Sequence, residues 1–140
     1  MKKQLLTLLL CVALLLGMIP TAQAAQPPFT DVPSGSWYYN AVTYAYENNL
    51  FNGTSATTFS PDATCNRAQF ATFLWRAQGM PDAGTSNPFT DVAEDTFYTD
   101  AVLWAAENGI TQGTSATTFS PNLPCNRAQA VTFLYRCMGK

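Results

Sequence analysis

The chain has 140 residues, of which 47% are hydrophobic and 11% charged, and its formal net charge is −2 at neutral pH. This balance lacks the basic surface that nonspecific binding to nucleic acid requires. The chain contains no histidine, which removes the most common general base and the most common metal ligand. We therefore expect no catalytic residue, no metal site and no cofactor.

The N-terminal segment has the three parts of a secretory signal peptide. A basic start, Met-Lys-Lys, precedes an apolar run over residues 5–19, and small residues follow up to Ala24. We place the signal peptide at residues 1–24, so the mature protein is predicted to be secreted. Nothing later in the chain approaches the roughly 20 consecutive apolar residues of a membrane span, so we expect none in the mature chain.

Residues 29–80 and 89–140 are two copies of one unit. They align without a gap at an offset of about 60 residues, and more than half of the aligned positions are identical, which indicates one supersecondary unit used twice. A polar linker with Pro and Gly, residues 81–88, joins unit 1 to unit 2.

Each unit contains two predicted helices. The first ends at a residue that favours a left-handed cap, Asn49 in unit 1 and Gly109 in unit 2. The second begins at Asn66, which forms a predicted capping box with Gln69. Apolar residues at helical spacing predict the buried stripes: Tyr38, Ala41, Val42 and Ala45, then Phe70, Phe73, Leu74 and Ala77, with Tyr98, Ala101, Val102, Ala105, Ala130, Phe133, Leu134 and Cys137 as counterparts in unit 2.

The segment GTSATTFSP joins the two helices, at residues 53–61 and again at 113–121. Gly53 and Gly113 permit a tight turn, the phenylalanine fills the core, and the proline stiffens the approach to the next helix. We therefore predict an ordered loop.

Three cysteines follow the signal peptide: Cys65, Cys125 and Cys137. Cys125 and Cys137 cannot bridge, because the helix between them rises roughly 18 Å and a disulfide tolerates about 7 Å between Cα atoms. We expect buried thiols, and a Cys65–Cys125 bridge between the units stays open as an alternative.

Arg67 and Arg127 lie in the first turn of a helix, where the macrodipole disfavours a cation. One explanation is an ion pair with Asp31, Asp62 or Asp91. The other is an anionic ligand, because a guanidinium beside free helix N–H groups is a good receptor for carboxylate or phosphate.

The acidic residues do not form a recognisable catalytic or metal-binding pattern. Glu47 and Glu107 occupy the same repeat position, whereas the acid and base of a glycosidase need different surroundings. The turn at Asp91, Glu94 and Asp95 lacks the spacing and the glycine of a calcium-binding loop. We interpret both sets as structural.

One ordered pattern runs through unit 1 and, in the same order, through unit 2. In unit 1 it reads Phe29-Thr30-Asp31-Val32, Trp37, Ala41-Val42, Glu47-Asn48, Gly53, Phe59-Ser60-Pro61 and Asn66-Arg67-Ala68-Gln69. This pattern resembles the S-layer homology (SLH) module, and the resemblance covers nearly all of the chain after the signal peptide.

The resemblance implies an all-α fold of tandem helix-loop-helix SLH repeats. Three such modules typically form a pseudo-threefold spindle, so two would form an incomplete helical bundle. It also implies a noncatalytic anchor at the bacterial cell wall or cell surface, which binds an anionic and often pyruvylated secondary cell wall polysaccharide. By match to the family pattern, the ligand-binding residues would be Arg67, Arg127, Asp31, Asp91, Trp37, Gly53 and Gly113.

Some positions depart from the family pattern. Gln69 and Gln129 stand where the family commonly has Glu, and Phe97 takes the place of Trp37 in unit 2. The alternative function is a structural self-assembly or protein–protein interaction module of the cell envelope. Its partner would be a second copy, giving a homo-oligomer, or another SLH-containing protein.

Overall fold

The computed structural model describes residues 26–140, so the predicted signal peptide lies outside the described residues. This part of the chain is all-α, as predicted, with helices α1 (Tyr39–Glu47), α2 (Arg67–Ala77), α3 (Thr99–Glu107) and α4 (Arg127–Cys137). Units 1 and 2 contribute two helices each. None of these four helices is long and apolar enough to span a membrane.

The ends of α1 and α3 adopt the predicted left-handed conformation. The φ angle is 55° at Asn49 and 68° at Gly109. In each case the next residue bonds back across the turn, as when the N–H of Leu50 donates to the carbonyl of Ala45 at 2.8 Å. Such bonds satisfy carbonyls that the helix end leaves free. Ile110, the counterpart of Leu50, is buried at 2% exposure.

The predicted capping boxes are present at α2 and at α4. The Asn66 side chain accepts the N–H of Gln69 at 2.8 Å, and the Gln69 side chain accepts the N–H of Asn66 at 2.9 Å. Asn126 and Gln129 form the same pair at 2.9 and 3.2 Å. Glutamine therefore retains the reciprocal cap without bringing a charge to the helix entrance.

Asp31 and Asp91 each clamp the loop of their own unit. The two carboxylate oxygens of Asp31 accept the N–H groups of Phe59 at 2.8 Å and Ser60 at 2.7 Å. Asp91 makes the equivalent bonds in unit 2 at 2.8 and 2.7 Å. The N–H of Phe59 holds the pKa of Asp31 below its ordinary value, although partial desolvation opposes this. The Phe-Thr-Asp-Val motif and the loop thus form one structural element.

The loop approaches itself closely at its first glycine. A Cβ atom at Gly53 would collide with the carbonyl oxygen of Thr58 and the ring of Phe29. Gly113 is equally crowded and also has a φ angle of 78°, which side chains rarely adopt. The glycines are therefore required by the tight turn, as predicted.

The main core lies between the two units. Leu74 of α2 packs with residues of unit 2 such as Val102, Trp104, Phe119 and Phe133. A smaller cluster of Phe29, Val32 and Val42 lies within unit 1. Burying one large apolar side chain stabilises a fold by about 1.5–3 kcal/mol. Ala68, Ala71 and Leu74 of α2 join a cluster whose other buried members all come from unit 2. Helix α2 therefore belongs to unit 1 by repeat and to unit 2 by packing.

The predicted stripe of α2 is displaced toward α3. Ala68, Ala71 and Thr72 are buried, whereas the predicted Phe70 and Phe73 are only half-buried and Ala77 is exposed. Ala68 and Ala71 belong to the same buried cluster as Val102 and Ala105 of α3, because their small side chains allow the two backbones to approach closely.

The outer helices bury less than predicted. Of the α1 stripe only Val42 is buried, and Ala41 is exposed although its counterpart Ala101 is completely buried. In α4 Phe133 is buried, but Leu134 is 41% exposed. The difference arises because α2 covers α3, while no helix within residues 26–140 covers the equivalent faces of α1 and α4.

The clamp predicts an acid-sensitive contribution to stability. Since the folded pKa of Asp31 is lowered, its contribution is present above the unfolded pKa of about 3.9 and is lost as the pH falls through the lower folded pKa. We expect Asp31→Asn to lower the melting temperature by a few degrees near pH 7, with a smaller difference from wild type near pH 3. Thermal denaturation followed by circular dichroism measures both.

The matched control is Asp62→Asn, which changes an exposed carboxylate in the same unit and should leave the melting temperature nearly unchanged. A loss in Asp31→Asn that is the same at both pH values would contradict the clamp.

Candidate functional site

A groove with a volume of about 390 Å³ opens between the two units. One wall is the start of the unit 1 loop, the second is the surface of α2, and unit 2 contributes a single aromatic side chain. The lining residues are Leu50, Phe51, Asn52, Gly53, Thr54, Gln69, Thr72, Phe73, Arg76 and Phe97.

Phe97 is the aromatic platform of this groove. It is 61% exposed, and it packs edge-on against Tyr98 with ring centroids 5.0 Å apart. Its repeat counterpart Trp37 makes the same kind of contact with Tyr38 at 5.4 Å and is 93% exposed. Large aromatic rings that are exposed to solvent provide a surface on which a ligand can stack.

Arg76 is the cation of the groove, and the sequence reasoning missed it. Within residues 26–140 its guanidinium makes no hydrogen bond, whereas the counterpart Arg136 donates to the carbonyl oxygen of Ile110 at 3.4 Å. The sequence contains an arginine at this position in both repeats. It lies two helical turns after Gln69 and therefore on the same face of the helix as Gln69, and this pattern could have indicated Arg76.

Arg67 lies inside the interface between the units. It is only 2% exposed, its Nε donates to the carbonyl oxygen of Phe119 at 2.9 Å, and its guanidinium carbon is 4.7 and 5.3 Å from the ring centroids of Phe119 and Phe133. Burial lowers the pKa of Arg67, while Cys125 and Asp91 oppose this shift. A cation between two aromatic faces is stabilised by their quadrupoles.

The entrance of α2 is occupied by unit 2. The backbone N–H groups of Arg67 and Ala68 donate to the carbonyl oxygens of Leu123 at 2.9 Å and Pro121 at 3.0 Å. Protein carbonyls thus take the place that an anionic ligand was expected to fill. Arg127, at the same position of unit 2, is exposed.

The structure brings together only part of the predicted ligand set. Gly53 lies in the groove with Phe97, the counterpart of Trp37. Asp31 and Asp91 hold the loops through both of their carboxylate oxygens. The role of the predicted set in binding a ligand remains a prediction.

Comparison with known proteins identifies both units. A model of the S-layer homology domain matches residues 28–71 and 88–131. The chain is 34% identical over 142 residues to an endoglucanase of Bacillus sp. (strain KSM-635), covering 96% of this chain and 15% of that protein. It is 35% identical over 118 residues to the surface-layer 125 kDa protein of Lysinibacillus sphaericus, covering 84% of this chain and 10% of that protein.

A third relative is the cellulosome-anchoring protein of Acetivibrio thermocellus. It is 28% identical over 118 residues, covering 80% of this chain and 26% of that protein. The similarity therefore spans about a quarter or less of the length of these three relatives.

The two arginines should differ in their effect on stability. We expect Arg67→Ala to lower the free energy of unfolding by about 3 kcal/mol, because it removes a desolvated cation–π contact and leaves a buried carbonyl without its donor. Arg127→Ala changes an exposed side chain and should cost less than about 0.5 kcal/mol. Urea denaturation of the two variants measures this difference. Equal losses would contradict the buried position of Arg67.

Proposed function

The chain belongs to the S-layer homology domain family, and we propose that it is a noncatalytic anchor that binds an anionic secondary cell wall polysaccharide in the groove between its units. Family membership and the surface-layer relative confirm the predicted location at the bacterial cell wall or cell surface. SLH units are anchoring modules. This includes units that are similar to one part of an enzyme, such as the endoglucanase. The position of Arg76 and Phe97 on one groove is the observation that supports the polysaccharide ligand.

The groove residues suit an acidic sugar chain. The apolar face of a pyranose ring stacks on an exposed aromatic ring such as Phe97. A carboxylate on the polymer, such as a pyruvyl group, pairs with the guanidinium of Arg76 in a charge-assisted and bidentate manner. Thr54 and the free amide donors of Gln69, whose oxygen is already used by the capping box, offer hydrogen bonds to sugar hydroxyls.

The remaining predicted residues offer similar chemistry outside this groove. Trp37 is an exposed aromatic side chain in unit 1, and Arg127 is an exposed cation in unit 2. In the repeat, Trp37 is the counterpart of Phe97. Gly113 and Arg136 are likewise the counterparts of Gly53 and Arg76. We propose that these residues contact the polymer when another SLH unit completes a groove beside them.

Arg76→Ala provides the test of the ligand. Losing a charge-assisted bond should weaken binding by about 10-fold or more, and the wild-type affinity should fall as salt rises because an exposed charge pair is screened. The measurement is cosedimentation of the protein with purified cell walls, before and after the secondary polymer is stripped from the peptidoglycan.

Two variants serve as controls. Lys140→Ala removes an exposed cation that lies outside the groove and should bind walls as wild type does. Phe97→Ala should weaken binding, whereas Phe97→Trp, which restores the aromatic residue of unit 1, should preserve it. Wild-type protein that sediments equally with intact and stripped walls would refute the polymer as the ligand.

A second function, association with another SLH unit, is supported by two uncovered helix faces. The α2 face that binds α3 contains Ala68 and Ala71, each 1% exposed, whereas Val131 of α4, the counterpart of Ala71, is 65% exposed. On the partner side, Trp104 of α3 is 7% exposed and its counterpart Tyr44 of α1 is 62% exposed. We propose that the outer face of α4 binds an α1-type face, from a second copy or from another SLH-containing protein.

The pattern of side chains supports this pairing. The α4 face retains the small and aromatic character of the α2 face, as shown by Ala128, Thr132 and Tyr135 at the positions of Ala68, Thr72 and Trp75. A contiguous exposed apolar helix face is typical of an interaction site.

Val131→Glu should prevent this association, because a carboxylate cannot be buried without a partner. We expect concentration-dependent association of wild type in analytical ultracentrifugation and loss of it in the variant. Leu123→Glu is the control, since Leu123 is an apolar residue of unit 2 that is 54% exposed and lies outside α4. Loss of association in both variants, or in neither, would argue against the α4 face.

A further inference from the structure

The two repeated cysteines face each other where unit 1 meets unit 2. Asn66 and Pro124 form an antiparallel β-bridge. The bridge is flanked by a bond from the N–H of Cys125 to the carbonyl oxygen of Cys65 at 3.0 Å and by a bond from Arg67 to Leu123 at 2.9 Å. In an antiparallel ladder, this pattern places Cys65 directly opposite Cys125.

Directly opposed residues of an antiparallel pair have suitable spacing for a covalent link. Their Cα atoms are typically about 4.5–5.5 Å apart, and their side chains leave the same face of the ladder. A disulfide requires about 4.4–6.8 Å between Cα atoms. The backbone at Cys65 and Cys125 is therefore compatible with a bond between the two sulfur atoms.

The thiols are close together, partly buried and unpaired. Both are free and half-buried. Burial raises the pKa of Cys65, and the nearby Cys125 raises it further. Burial also raises the pKa of Cys125, while Arg67 opposes this. Each thiol donates only a weak bond to the carbonyl of the asparagine that follows it, at 3.6 Å and 4.0 Å.

We propose that Cys65 and Cys125 form a reversible disulfide between the units when the exported protein meets a small-molecule disulfide as oxidant. The thiolate of one cysteine attacks a sulfur of the oxidant, which forms a mixed disulfide and releases one small thiolate. The thiolate of the other cysteine then attacks the mixed disulfide, which forms the Cys65–Cys125 bond and releases the second small thiolate. The protein loses two electrons and two protons, and the oxidant becomes two thiols.

The bond would connect the entrance of α2 to the loop of unit 2. It would close a chain loop of about 60 residues, which restricts the unfolded state and stabilises the folded one. Cys65 also lines a cavity of about 160 Å³ that shares Phe51, Asn52, Thr54 and Gln69 with the groove. Oxidation would thus fix the two units on either side of the groove. This inference does not depend on what the groove binds.

Peptide mapping can identify the bond directly. The exported protein is reduced, equilibrated with oxidised glutathione, alkylated and digested with trypsin. Arg67, Arg76 and Arg136 place Cys65, Cys125 and Cys137 on three different tryptic peptides. We expect the peptides of Cys65 and Cys125 to be joined and that of Cys137 to be alkylated. We also expect the melting temperature to rise by roughly 10 °C on oxidation, and this gain to disappear with a reductant.

Three variants complete the experiment. Cys65→Ser and Cys125→Ser should each abolish the linked peptide and the gain in melting temperature, whereas Cys137→Ser should retain both. Because attack requires a thiolate and burial raises both pKa values, bond formation should accelerate from about pH 7 to about pH 9. Folded wild-type protein that leaves both thiols alkylated, links Cys137, or carries only glutathione adducts would overturn the proposal.

Discussion

The fold depends on the packing of α2 against unit 2. Ala68 and Ala71 are small enough for α3 to approach closely, and Leu74 and Trp104 belong to the same buried cluster. Arg67 extends from the same helix to the carbonyl oxygen and ring of Phe119. Because the main core contains residues from both repeats, the two units are expected to unfold together.

This packing makes two nearly identical repeats physically different. The Cys-Asn-Arg-Ala-Gln motif occurs in both, yet Arg67 is 2% exposed while Arg127 is in solvent. The motif forms the same capping box in each case, because that interaction is local. What differs is the neighbour: unit 2 covers the entrance of α2, and within residues 26–140 no equivalent unit covers the entrance of α4.

The groove is a consequence of the same arrangement. One side of α2 packs into the core, and another side, with Gln69, Phe73 and Arg76, forms a wall of the groove. Unit 2 supplies Phe97 to that groove because α3 is seated against α2 and brings the preceding turn with it. One face of α2 therefore packs in the core, and another face lines the groove of the proposed polymer site. The pair of Cys65 and Cys125 lies where α2 begins.

The sequence by itself determined the local features. The repeat, the four helices, the capping boxes of Asn66 and Asn126 and the left-handed ends at Asn49 and Gly109 could all be predicted, since each depends on residues within a few positions of one another. Only the tertiary structure decided that Arg67 lies between aromatic rings, that Asp31 clamps a loop, and that Arg76 and Phe97 share a groove. Those arrangements depend on which face of α2 meets unit 2, and apolar spacing along one helix does not specify its neighbour.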